Sequence, residues 1–199
     1  MKTNREYRSV VEVKAKDEDY IVEGYATTFN QPYLLYRYGD FEVHEQVSNR
    51  AFDNCDMSDV IFQFDHEGAV YARTRNNTLS LTIDDKGLLV RANLGGTSKG
   101  RSLFEDIKGG YVDRMSFGFV VEEDTKEYTS QSGAEEKCLR TITKISKLYD
   151  VSAVSIPAND ATTISARKFS DGVIAELEAE RLLRARKLLE LRMKLMKGE

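Results

Sequence analysis

A chain of 199 residues, 41% hydrophobic and 31% charged, can bury one good-sized core and carry an appendage. Its net charge of −4 argues against a nucleic-acid partner, and the lack of any long apolar run argues against a membrane span. Two cysteines far apart, Cys55 and Cys138, have neither CxxC spacing nor a histidine nearby. They predict reduced structural thiols in a cytosolic protein without metal or other cofactor.

The start, MKTNREYRSVVEVKAKDEDY, alternates charge with short apolar runs, unlike a signal peptide. Residues 7–29 predict two strands, YRSVVEVKA and YIVEGYATTF, split by the charged turn KDED. Residues 30–58, punctuated by Asn30, Pro32, Gly39 and Asp40, predict irregular structure with a helical turn around Ser48–Asn54. DVIFQFDH, residues 59–66, predicts a short buried strand ending in a histidine. NTLSLTID and GLLVRANL predict a hairpin over Asp84-Asp85-Lys86-Gly87, because Asp and Gly supply the turn chemistry.

SKGRSLFEDIK, residues 98–108, predicts a helix with Leu103, Phe104 and Ile107 on one apolar face, stopped by Gly109-Gly110. The next strand carries Ser116. Alternation puts Met115, Phe117 and Phe119 on one face and Ser116, Gly118 and Val120 on the other. Gly118 is expected to leave open space beside the hydroxyl. A polar loop, EEDTKEYTSQSGAEEK, is expected before the strands CLRTITKIS and LYDVSAVSIPAND. From about residue 170 the chain turns into a Glu-, Leu-, Arg- and Lys-rich helix. Ala175, Ala179, Leu182, Leu189, Met193 and Met196 form a 4-3 seam interrupted by Arg186, a pattern for a partner helix or self-association. Many strands and few helices predict an α+β, strand-rich chain: an antiparallel barrel or sandwich with a helix or two.

Only two histidines are present, His44 and His66, which narrows any search for a general base. A serine nucleophile needs such a base, and a carboxylate beyond the ring sets its tautomer. Ser116, His66 and Asp150 lie on or at the ends of three separate apolar runs and are candidates to converge. His44 reads as a surface or satisfied histidine. Asp65 and Glu67 flank His66, but on a strand they would face away from it, which argues against a metal site. Cys138 as nucleophile has no base assigned to it.

The ordered series DVIFQFDH, YARTRNNTLSLTIDDKGLLVRANL, LFEDIKGGYVDRMSFGF and LYDVSAVSIPAN resembles the caudovirus prohead serine proteases, the capsid-maturation enzymes of tailed phages. The resemblance covers roughly residues 7–168, the expected protease domain 1–168, with a helical extension at 169–199. It implies Ser116 as nucleophile, His66 as general base and Asp150 as orienting acid. The acidic position is more often Glu in that family, and Ala72 stands where Gly usually precedes the Arg-Thr pair. The implied fold is a β-barrel ringed by helices, as in the herpesvirus maturation proteases. Only by resemblance to herpesvirus-type Ser–His–His sites does His44 replace Asp150 as third member. The implied substrates are the scaffolding segment of the major capsid protein and the protease itself, inside the immature procapsid in the host cytoplasm. Residues 161–172 are the expected self-cleavage zone. The competing reading is a non-enzymatic assembly or scaffold-binding protein on the same barrel.

Overall fold

The computed structural model describes residues 5–16, 19–130, 136–155 and 164–197. β1 (Glu6–Ala15) and β2 (Ile21–Thr28) form an antiparallel pair, as the alternation in 7–29 predicts. β3 (Tyr33–Tyr38) and β4 (Phe41–Val47) form a hairpin across Gly39, whose φ of +55° suits a residue without Cβ. This hairpin lies in the stretch expected to be irregular. Phe41, Val43, Glu45 and Val47 of β4 alternate inward, but a buried glutamate in that row disguises the hydrophobic period. At Ser48–Asn54 the chain makes successive turns and no helix.

β5 (Ile61–Phe64) and β6 (Glu67–Arg73) form a second hairpin. β7 (Leu79–Ile83) and β8 (Gly87–Asn93) form the predicted third, with Asp84 Oδ1 accepting the Lys86 and Gly87 amides at 2.8 and 2.9 Å. α1 (Ser98–Lys108) begins as expected, with the Thr97 hydroxyl accepting the Gly100 amide at 3.0 Å. It buries Leu103, Phe104 and Ile107.

β9 (Arg114–Ser130) and β10 (Glu136–Val154) are far longer than expected. The supposed polar loop is mostly a two-stranded ribbon in which half-buried Asp124, Lys126 and Tyr128 alternate with exposed residues. Polar side chains occupy both faces there, so hydropathy carries no period. The chain then passes along one edge of β10 twice in the same direction, first as β4 and then, after the turns of 48–60, as β5. Both pairings are parallel. The ten-stranded sheet runs β3-β4-β10-β9-β1-β2-β8-β7, with β5 and β6 attached to β10. The expected antiparallel barrel is corrected in two respects: the sheet is mixed, and among the described residues no hydrogen-bonded pair joins its ends at β3 and β7.

The sheet and α1 share one core that includes Phe62, Leu88, Phe104, Met115, Phe117 and Phe119. A second, smaller cluster joins Leu35, Phe41, Val43 and Cys138 to Val173 and Leu177 of α2 (Ile164–Lys197). Val173 and Leu177 thus pack this part of α2 against the β3–β4 hairpin and β10. Of the predicted seam, Ala175 and Ala179 are exposed, as are Leu182, Leu189, Met193 and Met196. Lys126 and Tyr128 bond Glu180 at 2.8 Å each, and Tyr36 bonds Glu178 at 2.8 Å.

A buried ionic network ties these strands together. Arg140 donates to Glu6 at 2.8 and 3.0 Å, to Glu45 at 2.7 Å and to Asp124. Arg8 donates to Glu45 at 2.9 Å, and the Tyr33 hydroxyl donates to the same carboxylate. Glu6 and Arg8 face this network, so Tyr7 between them faces the other side of β1.

Candidate active site

Ser116 lies in β9, opposite Ser9 of β1 and Ser152 of β10. Met115, Phe117 and Phe119 are fully buried on the core side, as their alternation predicts. The hydroxyl is on the opposite face, with Gly118, Tyr7, Asp150 and Ser152 as its sheet neighbours. Strands on both sides hold the Ser116 backbone, a rigid mount of the kind a reacting group requires.

His66 is not on a strand. β5 stops at Phe64, and Phe64 pairs with Glu67, so Asp65 and His66 are a two-residue hairpin loop. Both have positive φ, +50° and +60°, as a type I′ turn requires. Asp65 tolerates that region well; a histidine there is less common, and its strained backbone turns the ring over the sheet face. Asp65 anchors the turn by accepting from the amide and hydroxyl of Ser155 at 2.8 and 2.9 Å, and its own amide donates to Ala153 O at 2.9 Å. The strand-based argument against Asp65 as a metal ligand is therefore replaced by a direct one: its carboxylate is already engaged.

The three predicted residues meet. His66 Nε2 is 2.6 Å from Ser116 Oγ, and Nδ1 contacts Asp150 Oδ1 directly. Asp reaches the ring despite being one methylene shorter than Glu, because β5 and β10 pair in register and bring the turn down onto the strand. The histidine side chain is only 7% exposed and the aspartate 2%.

Three further groups support this line, and sequence reasoning did not single them out. Ser152 donates to Asp150 Oδ1 at 3.0 Å, so that oxygen is held from two sides. Its position two residues along a strand from Asp150 places both on one face, which was legible. Tyr7 packs edge-on against the His66 ring, with centroids 4.4 Å apart. Nothing in the local sequence distinguishes Tyr7 from other alternating strand residues. Arg5 lies 3.8 Å from Asp150 Oδ2.

Gly118 has a different role from the one expected. It leaves no open space: a Cβ there would stand 2.3 Å from Asp150 Oδ2 and 2.7 Å from Tyr7 Cε1. The missing side chain is what lets the carboxylate and the tyrosine ring lie flat against β9. Gly118→Ala is expected to displace Asp150 or Tyr7, lowering hydrolytic rate about 100-fold or more and stability by about 1–3 kcal/mol. Paired rate and thermal-melting measurements on the variant check both.

The alternative candidates fall elsewhere. His44 is on β4, partly exposed, with Nε2 3.0 Å from Glu42. Cys138 is buried in the second cluster, and burial raises its thiol above the ordinary range. Burial pushes Cys55 up to about 11, so neither thiol is primed as a nucleophile at neutral pH.

Hydroxyl, imidazole and carboxylate linked in series define a Ser–His–Asp arrangement of the serine-hydrolase class. The chain belongs to the caudovirus prohead serine protease family, whose profile matches residues 9–173. It is similar to the prohead protease of Enterobacteria phage HK97, 35% identical over 106 residues that make up 53% of this chain and 44% of that protein. The alignment thus spans less than half of that relative's length. No solved structure matches the chain.

Proposed function

We propose that the chain is a serine endopeptidase of prohead maturation, with Ser116 as nucleophile, His66 as general base and Asp150 as the acid that orients it. The observation carrying this reading is the unbroken line from Ser116 Oγ through both ring nitrogens of His66 to Asp150. In this mechanism Ser116 attacks the scissile carbonyl while Nε2 takes its proton. The imidazolium forms beside the Asp150 carboxylate and then gives that proton to the departing amine. Water, deprotonated by the same nitrogen, releases the acyl-enzyme. No metal or cofactor enters any step.

Family membership supports a place of action inside the immature shell, with the scaffolding segment of the major capsid protein as substrate. Self-cleavage would let the enzyme leave an enclosed shell. Residues 161–172 are the proposed zone, although 161–163 lie outside the described residues. Mass spectrometry of ageing wild-type protein tests this: a cut within 161–172 is expected, and cuts confined elsewhere would refute it. A fluorophosphonate probe tests the activity itself. Labelling at Ser116 is expected, and its absence in every assembly state would leave the scaffold-binding reading in place.

The stretch of α2 beyond Arg181 supports a docking or self-association role for the extension. Leu182, Leu183, Leu189, Leu191 and Leu195 are exposed, an arrangement costly for a helix with no partner. Truncation after Arg181 keeps Val173, Ile174 and Leu177 in place, so the melting temperature is expected to change little. Incorporation into shells and self-association in sedimentation are expected to fall; unchanged values in both would refute the role.

A further inference from the structure

Within the Ser116–His66–Asp150 line, one carboxylate oxygen has no hydrogen bond. Asp150 Oδ1 takes His66 Nδ1–H and the Ser152 hydroxyl, whereas Oδ2 is buried with no hydrogen-bond donor among the described residues. Leaving a buried charged acceptor half satisfied is costly. The cation facing it is Arg5, whose Nη1 stands 3.8 Å from Oδ2: within ion-pair range, but short of a hydrogen bond.

Arg5 is held in that position by its neighbours. Its guanidinium lies over the Tyr149 ring, 3.8 Å from the centroid, and donates to the Tyr7 hydroxyl at 3.4 Å. Tyr7 in turn packs on His66. Thus Arg5, just ahead of β1, and Tyr7 at its start touch both the acid and the base. Around Asp150 and His66, β1 presents Tyr7 with Arg5 just ahead of it, β9 presents Ser116 and Gly118, and β10 presents Ser152 with Tyr149 beneath the guanidinium. The hairpin presents Asp65, whose carboxylate Ser155 already occupies.

We propose that Arg5 is a positioning residue of this site: its guanidinium closes on Asp150 Oδ2, keeps the carboxylate charged and leaves Oδ1 turned toward His66. The inference rests on the reading of Ser116, His66 and Asp150 as one catalytic unit. A fixed cation on the far side of the carboxylate also opposes the second positive charge that arises on the imidazole. Removing it therefore favours protonated His66, while a lysine at the same place preserves the charge and loses the planar fit over Tyr149.

The test compares the full chain with Arg5→Gln, Arg5→Met and Arg5→Lys. With only two histidines in the chain, ring-proton NMR resolves His66 once a His44→Asn variant assigns the other signal. The midpoint of the His66 titration is expected to rise by roughly 0.5–1 pH unit in the two neutral variants and to stay near wild type in the lysine variant. The rate of Ser116 phosphonylation by a fluorophosphonate is expected to fall about 10-fold in the neutral variants, with partial rescue by lysine. An unchanged midpoint in both neutral variants, or a lysine variant shifted as far as they are, would overturn the proposal. So would loss of the fold in both neutral variants, which would make Arg5 a structural residue. The NMR readout needs no turnover, so an unlabelled wild type would count against the protease reading alone.

Discussion

Replacing Ser116 with alanine is expected to lower the rate of peptide-bond hydrolysis by roughly 10⁴–10⁶-fold. The fold should survive the change. Among the described residues Ser116 Oγ bonds His66 and no backbone group, and its strand is held by pairing on both sides and by Met115, Phe117 and Phe119 beneath it. Loss of one hydrogen bond costs about 1 kcal/mol, a small fraction of a domain's stability. Cleavage of co-expressed capsid protein and thermal melting separate the two effects. A variant that still cleaves at near wild-type rate would remove Ser116 from the chemistry. A His66→Ala variant should fall about as far, and the double variant no further, because residues acting as one unit are not additive.

The largest expected effect on stability lies away from the site. Glu45→Ala leaves Arg8 and Arg140, buried at 1% and 3% exposure, without one of the two carboxylates they share, and strands the Tyr33 hydroxyl. Breaking a buried ion pair by removing one partner costs about 3–5 kcal/mol, enough to unfold many domains. Chemical denaturation compared with wild type measures it; a loss under about 1 kcal/mol would mean that the network behaves like a surface pair. In the folded chain, burial works to raise the Glu45 carboxyl, but Arg8 and Arg140 outweigh it and hold it at about 2, against an ordinary value of 4.5. A carboxyl depressed by folding contributes its stability above the unfolded value. That contribution drains as pH falls from about 4.5 through about 2. Acid unfolding in that window is expected to be blunted in Glu45→Gln. The network also locks β1 through Glu6 and Arg8, which presents Tyr7 to the opposite face, with Arg5 just ahead of the strand.

Much of the site was legible before any coordinates. Strand alternation placed Ser116 opposite a wall of core residues, and the shortage of histidines singled out His66. The wording around Asp150 pointed to the third member. The setting of each was less visible. His66 was expected at a strand end and lies in a turn with positive φ, because the seven residues after it, EGAVYAR, form a strand too short and mixed to show a period. Gly118 was expected to open space and instead admits Asp150 and Tyr7, partners 32 and 111 residues away in the chain. The polar ribbon of β9 and β10 and the hairpin of β3 and β4 escaped notice for one reason: charged residues sit inward there, where ionic partners replace apolar packing.

Local order in the sequence determined the elements whose side chains divide cleanly into apolar and polar faces: α1, the β7–β8 hairpin and the strand that bears Ser116. Their period is written in neighbouring residues, and hydrophobic burial alone enforces it. Tertiary structure decided everything that depends on residues distant in the chain. That includes the parallel seating of β4 and β5 on β10, the closing of His66 onto Ser116 and Asp150, and the charges that balance one another in the interior. Such contacts arise only when strands pair, because a buried charge is stable only beside a partner that another strand delivers.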